Sequence, residues 1–117
     1  MLSAENPELE VVITADDSYS YGFFHYIDVL LDGKWYAVPF MHDGFLLLGL
    51  EVNPDTKLED RTHVYSPVFR CGILPAGRYR IVKAFGLYGD FSNMEFAIAE
   101  FTVAETLDWF VLQPRSG

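Results

Sequence analysis

Leu74-Pro75-Ala76-Gly77-Arg78-Tyr79-Arg80-Ile81-Val82-Lys83 opens as a turn and closes as a strand. Pro75 presets its own φ for a tight turn, and Gly77 supplies backbone conformations closed to other residues. From Arg78 to Phe85 the chain is rich in aromatic and β-branched residues, which predicts a strong strand. A second decisive piece lies upstream. Phe23 to Leu31 and Trp35 to Phe40 are β-rich runs joined through Asp32-Gly33. Asp-Gly between two such runs predicts a hairpin, because a type I′ turn needs positive φ at both central residues.

Outward from these two anchors the same punctuation recurs. Leu9 to Thr14 predicts a first strand, with Leu9, Val11 and Ile13 on one face, and Asp16-Asp17-Ser18 ends it. In the second run His25, Ile27, Val29 and Leu31 share one face, and Phe24, Tyr26, Asp28 and Leu30 the other. Phe45 to Val52 predicts a further strand between Gly44 and the turn Asn53-Pro54-Asp55-Thr56. Leu58 to Tyr65 reads as a weak strand of mixed polarity. Gly86 to Asn93 carries Gly86, Gly89, Asp90 and Asn93 and predicts a loop, after which Met94 to Val103 forms the last strand. Ala104 to Gln113 fits either a short helix or an edge strand. About seven short strands without a long helix predict an all-β, antiparallel sandwich, with a small closed barrel as the alternative. The expected layout is a flexible lead-in over residues 1–8, a sandwich over 9–103 and a C-terminal extension over 104–117.

The 117 residues suit one domain, and with half of them hydrophobic a packed core is affordable in surface terms. Eight bases against seventeen acids give a net charge of -9, which argues against nucleic-acid or anionic-membrane binding. No apolar run reaches the length of a membrane span. One cysteine, Cys71, excludes an intrachain disulfide. The first residues lack the features of a secretory signal. That fits a cytoplasmic protein, and equally a bacterial envelope or extracellular one whose signal was trimmed.

Tyr21-Gly22, Asp32 to Pro39, Leu74 to Lys83 and Glu100-Phe101-Thr102-Val103 together form an ordered pattern. It resembles a bacterial immunoglobulin-like domain family, over about Leu9 to Val103, with L-P-x-G-x-YRIVK as its most specific piece. The resemblance implies an immunoglobulin-like β-sandwich from bacterial envelope proteins and lipoproteins, often an accessory domain, with no enzymatic activity to carry over. In such sandwiches a tyrosine near a strand start turns back so that its hydroxyl caps a backbone group. Tyr79, after Gly77, has the right form for that corner. Phe40 to Leu50 is more apolar than the pattern, and Leu58 to Cys71 matches it poorly.

No phosphate loop, nucleophile elbow, zinc pair or H-E-x-x-H motif is present in the sequence, so neither enzyme nor cofactor is expected. His42-Asp43 offers a metal pair at most, and Asp16, Asp17 and Asp90 lack EF-hand spacing. His25 reads as a satisfied, semi-buried histidine, and Cys71 as a small buried thiol despite the neighbouring Arg70. Binding candidates are the loop aromatics and their neighbours: Leu87, Tyr88 and Phe91 in one loop, Phe40, Met41 and His42 in another. The competing reading is that these cap the core. Trp109 and Phe110 suggest a homodimer if exposed. The expected function is a non-enzymatic module presenting these residues to a protein or glycan partner. The alternative is a soluble acidic inhibitor or decoy that mimics nucleic acid or blocks a basic cleft.

Overall fold

The computed structural model describes residues 1–42, 44, 49–87 and 90–109, and the side chains of all of these except Leu87 and residues 90–93. The chain is an antiparallel β-sandwich. Its strands are β1 (Leu9–Val12), β2 (Tyr19–Tyr21), β3 (Tyr26–Leu31), β4 (Lys34–Ala37), β5 (Leu50–Val52), β6 (Thr62–Tyr65), β7 (Ile73–Leu74), β8 (Gly77–Leu87), β9 (Asp90–Val103) and β10 (Leu107–Asp108). A 3₁₀ turn, Leu58–Arg61, precedes β6, and a short helix α1, Pro67–Cys71, precedes β7.

The larger sheet runs β4-β3-β8-β2-β5, with β9 on the opposite side of β8. β8 is long enough for β3 and β2 to lie end to end along it, pairing with Tyr79–Val82 and with Gly86–Leu87 respectively. The β3–β4 turn has Asp32 at φ 51° and Gly33 at φ 77°, so Asp-Gly takes the conformation that its chemistry favours. Two short pairs, β1–β6 and β7–β10, complete the described sheets.

Alternation sorts the two faces of the larger sheet. Ile27 in β3, Tyr79 and Ile81 in β8, and Phe101 and Val103 in β9 are buried in the core with Val68, Leu74 and Leu107. A second buried cluster joins Ile13, Tyr21, Val52 and Phe85. Tyr79 makes the expected corner: its hydroxyl donates to the Pro75 carbonyl at 2.6 Å, while its ring stacks on Phe101.

Several local expectations give way to pairing. Gly86 to Asn93 is not one loop, because β8 extends to Leu87 and β9 resumes at Asp90, with a register shift at Gly86/Leu87. Leu58 to Tyr65 divides into the 3₁₀ turn and β6. Of Phe45 to Val52, Leu50–Val52 forms a strand and residues 45–48 lie outside the described residues.

Leu2 near the start and Leu107 and Trp109 at the end of the described residues are tied to the sandwich. Leu2 is buried and bridges Val103, with Leu2 N–H bonded to Thr102 O and Ala104 N–H to Leu2 O. Leu107 is buried as β10 pairs with β7, which contributes about 2 kcal/mol of apolar burial. Trp109 also packs on its own domain, with its backbone N–H bonded to Gly72 O and its ring edge-on to Phe69. Phe110 lies outside the described residues.

Candidate interaction surface

The residues expected to present themselves from loops are placed differently from one another. Phe40 is half-buried against the core and packs near His25. Met41 is exposed, and His42 stacks flat on Phe69 at 4.4 Å between ring centres. This segment is fastened to α1: Met41 and His42 N–H both bond to Arg70 O, and the Arg70 guanidinium donates to His42 O and Gly44 O. Leu87 and Phe91 belong to β8 and β9, and their side chains are outside the description, as is all of Tyr88. The six residues are therefore not gathered into one described surface. Asp43 also lies outside the described residues, and Asp16 accepts a hydrogen bond from the Tyr19 hydroxyl.

A buried polar cluster escaped the sequence reading. Lys83 is 4% exposed, and its amine donates to Gly22 O at 2.7 Å and to Phe24 O at 3.3 Å. It also lies over the rings of Tyr21 and Tyr65. Burial brings the amine down to about 8. Tyr21 and His63 are hydrogen-bonded through the hydroxyl and Nε2 at 2.7 Å. His25 is buried, with Nδ1 on Phe23 O, and burial holds it down at about 4. The visible signal was strand alternation: Lys83 lies in the Tyr79–Ile81–Phe85 row, on the face turned to the core. A cleft lined by His25 and Tyr65 does not include Lys83. The Lys83 amine ties the second half of β8 to the Gly22–Phe24 segment. Cys71 is half-buried, and burial raises its thiol to about 11, which leaves it a poor nucleophile near neutral pH.

The outer face of the larger sheet is the more unusual surface. Cross-strand register sets Tyr26 beside Val82 and Val82 beside Ile98, with Ala84 beside Phe96 in the next row. Phe24 packs edge-on against Tyr26. Phe24, Tyr26, Phe96 and Ile98 are 47%, 52%, 62% and 55% exposed. These are neighbours across three strands, unlike the single apolar residues common on protein surfaces. One end of the face is polar: Arg80 Nε meets Asp28 Oδ2 at 2.8 Å, its guanidinium covers Trp35, and Arg78 pairs with Glu100. The apolar rows lie toward the Leu87 end of β8 and the Asp90 end of β9.

The opposite face of β9 borders a cleft of about 430 Å³. Ile13, Val52, Phe85 and Ala97 give it apolar walls, and Asp16, Tyr19 and Glu95 bring oxygens to it. Burial, then Asp16, then Glu95 push the Tyr19 phenol up to about 12. Among the described residues, no group of three metal-binding side chains forms, and no helix is long and apolar enough to cross a membrane.

A family model described as a bacterial Ig-like domain matches residues 2–106. No curated protein and no solved structure matches the chain.

Proposed function

The chain belongs to the bacterial Ig-like domain family, whose members are generally non-catalytic, and from that premise we propose that it is a non-enzymatic module that binds a partner through the apolar half of its outer sheet face. One observation carries this reading: Phe24, Tyr26, Phe96 and Ile98 form a continuous exposed patch around Val82 and Ala84. Aromatic and aliphatic side chains held on a rigid sheet lose little conformational freedom on contact, so they suit a hot spot. Leu87 ends β8 and Phe91 lies near the start of β9; with Tyr88, which follows Leu87 in sequence, they are candidates to extend the contact. The fold alone specifies no partner; the patch suits a protein, or a glycan ring stacked on Tyr26.

The test is capture from native envelope and lysate fractions by the immobilised domain. A Phe96→Ser/Ile98→Ser variant and a Tyr88→Ala/Phe91→Ala variant serve as comparisons, each first shown to melt like wild type. A partner held at high salt by wild type and lost by the first variant is the expected result. Loss with the second variant alone would move the contact to residues 88–91. A basic partner lost from all three proteins at high salt would replace this reading with the acidic decoy.

A further inference from the structure

β9 has one edge paired along β8, while its other edge meets Leu2 only at the Val103 end. Among the described residues no strand pairs with that second edge from Asp90 to Ala99. About 30 Å of β9 thus has an outer edge that no described strand pairs. Its two faces differ. Met94, Phe96 and Ile98 point to the outer face and are exposed. Glu95 and Ala97 point to the opposite face and line the cleft that also holds Asp16 and Tyr19. The small side chain of Ala97 leaves room beside the edge. Arg78 pairs with Glu100 and Arg80 with Asp28, so neither of these arginines reaches the Asp16 or Glu95 carboxylate.

Resting on the binding reading above, we propose that the edge of β9 accepts an extended peptide segment of a partner as an added strand, with a lysine or arginine in the Asp16–Glu95 cleft and large apolar residues over Phe96 and Ile98. Strand addition supplies main-chain hydrogen bonds, and alternate side chains supply the selectivity. An apolar–basic–apolar segment meets both faces at once. Its basic side chain lays its methylenes on Val52, Phe85 and Ala97 and sets its charge between the two carboxylates. Charge also argues against a second copy of this chain as the occupant. No Lys or Arg occurs between Lys83 and Arg115, so every charged residue that a second β9 would bring to the acidic cleft is an acid. Glu95 thus disfavours self-pairing at the edge and favours a basic strand.

The probe is an acetylated, amidated nine-residue peptide alternating valine with lysine and threonine, labelled for fluorescence anisotropy. Controls replace its lysines by glutamate or N-methylate its backbone on one edge. Wild type is expected to bind the lysine peptide at least about tenfold more tightly than either control, one charge contact being worth about that factor. Asp16→Asn/Glu95→Gln should lose about tenfold and most of the salt dependence, with an unchanged melting temperature. Amides of residues 94–99 should gain hydrogen-exchange protection. Equal binding of the glutamate peptide, protection elsewhere, or a wild-type dimer that Phe96→Ser dissolves would overturn the proposal. Lack of peptide binding, with the captured partner still lost from Phe96→Ser/Ile98→Ser, would overturn strand addition and leave the face reading standing. A captured partner indifferent to both sets of substitutions would remove the face reading itself.

Discussion

The Tyr79 hydroxyl reaches back four residues to the Pro75 carbonyl at 2.6 Å, closing the turn that launches β8 while the ring stays in the core. Tyr79→Phe keeps the ring, including its stack on Phe101. It removes the donor and leaves Pro75 O without it. A net loss of about 1–2 kcal/mol is expected. Urea unfolding followed by Trp fluorescence should show a lower midpoint with an unchanged slope. A midpoint equal to wild type would mean that the corner is dispensable.

Gly72 ends α1 at φ 83°, ψ -46°, and its N–H bonds to Val68 O. That conformation falls outside the left-handed well that L-residues tolerate. A Cβ there would also meet Met41 Cε at 3.0 Å. Gly33, at φ 77° in the hairpin, has nothing within 4 Å of the position that a Cβ would take. Gly33→Ala should therefore cost about 1 kcal/mol from backbone conformation alone, and Gly72→Ala more. Equal costs in parallel urea titrations would show that the α1–β7 junction relaxes freely.

The legible parts of this fold are those where local chemistry and pairing agree. Asp32-Gly33 demanded its turn, and Leu74 to Phe85 carried both a turn and a strand. Gly86 to Asn93 was misread because glycine, aspartate and asparagine signal loops locally, whereas the long β8–β9 ladder carries the strands past them. Alternation also separates two faces without saying which is covered. Phe96 and Ile98 have core composition, and the layer that buries Tyr79 and Phe101 does not cover their face. The same ambiguity hid Lys83, a charged residue in an inward row, whose acceptors Gly22 O and Phe24 O come from a distant segment. Neither cleft nor edge could be read from the sequence, since each depends on which strands fail to meet.

His25 should make the protein acid-sensitive. Its imidazole is held at about 4 by burial, against 6.5 for the free group. Between those values the unfolded chain binds the proton that the folded chain refuses, so stability falls as pH drops from 6.5 to 4. The shift corresponds to about 3 kcal/mol at most. Burial lowers His63 in the same direction, so the contribution of His25 must be read as a difference. His25→Phe keeps an aromatic ring beside Phe40 and Tyr65 but loses the bond to Phe23 O. It should be less stable than wild type at pH 7 and close that gap by pH 4. Parallel stability curves for the two proteins would place the acid sensitivity elsewhere.

Lys83 should act at the alkaline side. Its amine is brought down to about 8 from 10.5, so between those values the unfolded chain retains a proton that the folded chain has released. Stability therefore rises with pH through this window, by about 1 kcal/mol from pH 8 to 9. The Cys71 thiol, raised to about 11, pulls the other way from about pH 9, as do the raised phenols of Tyr21 and Tyr65 at higher pH. Comparison with Lys83→Met isolates the amine, because the other groups are common to both proteins. The variant leaves the carbonyls of Gly22 and Phe24 without this donor, so it should be less stable at pH 9. Its deficit should be smaller at pH 8, where wild type still carries a costly buried charge. Urea midpoints at pH 7, 8 and 9 for the two proteins test this directly. A deficit that stays constant across the three values would mean that the amine is solvated well enough to keep its ordinary affinity for the proton.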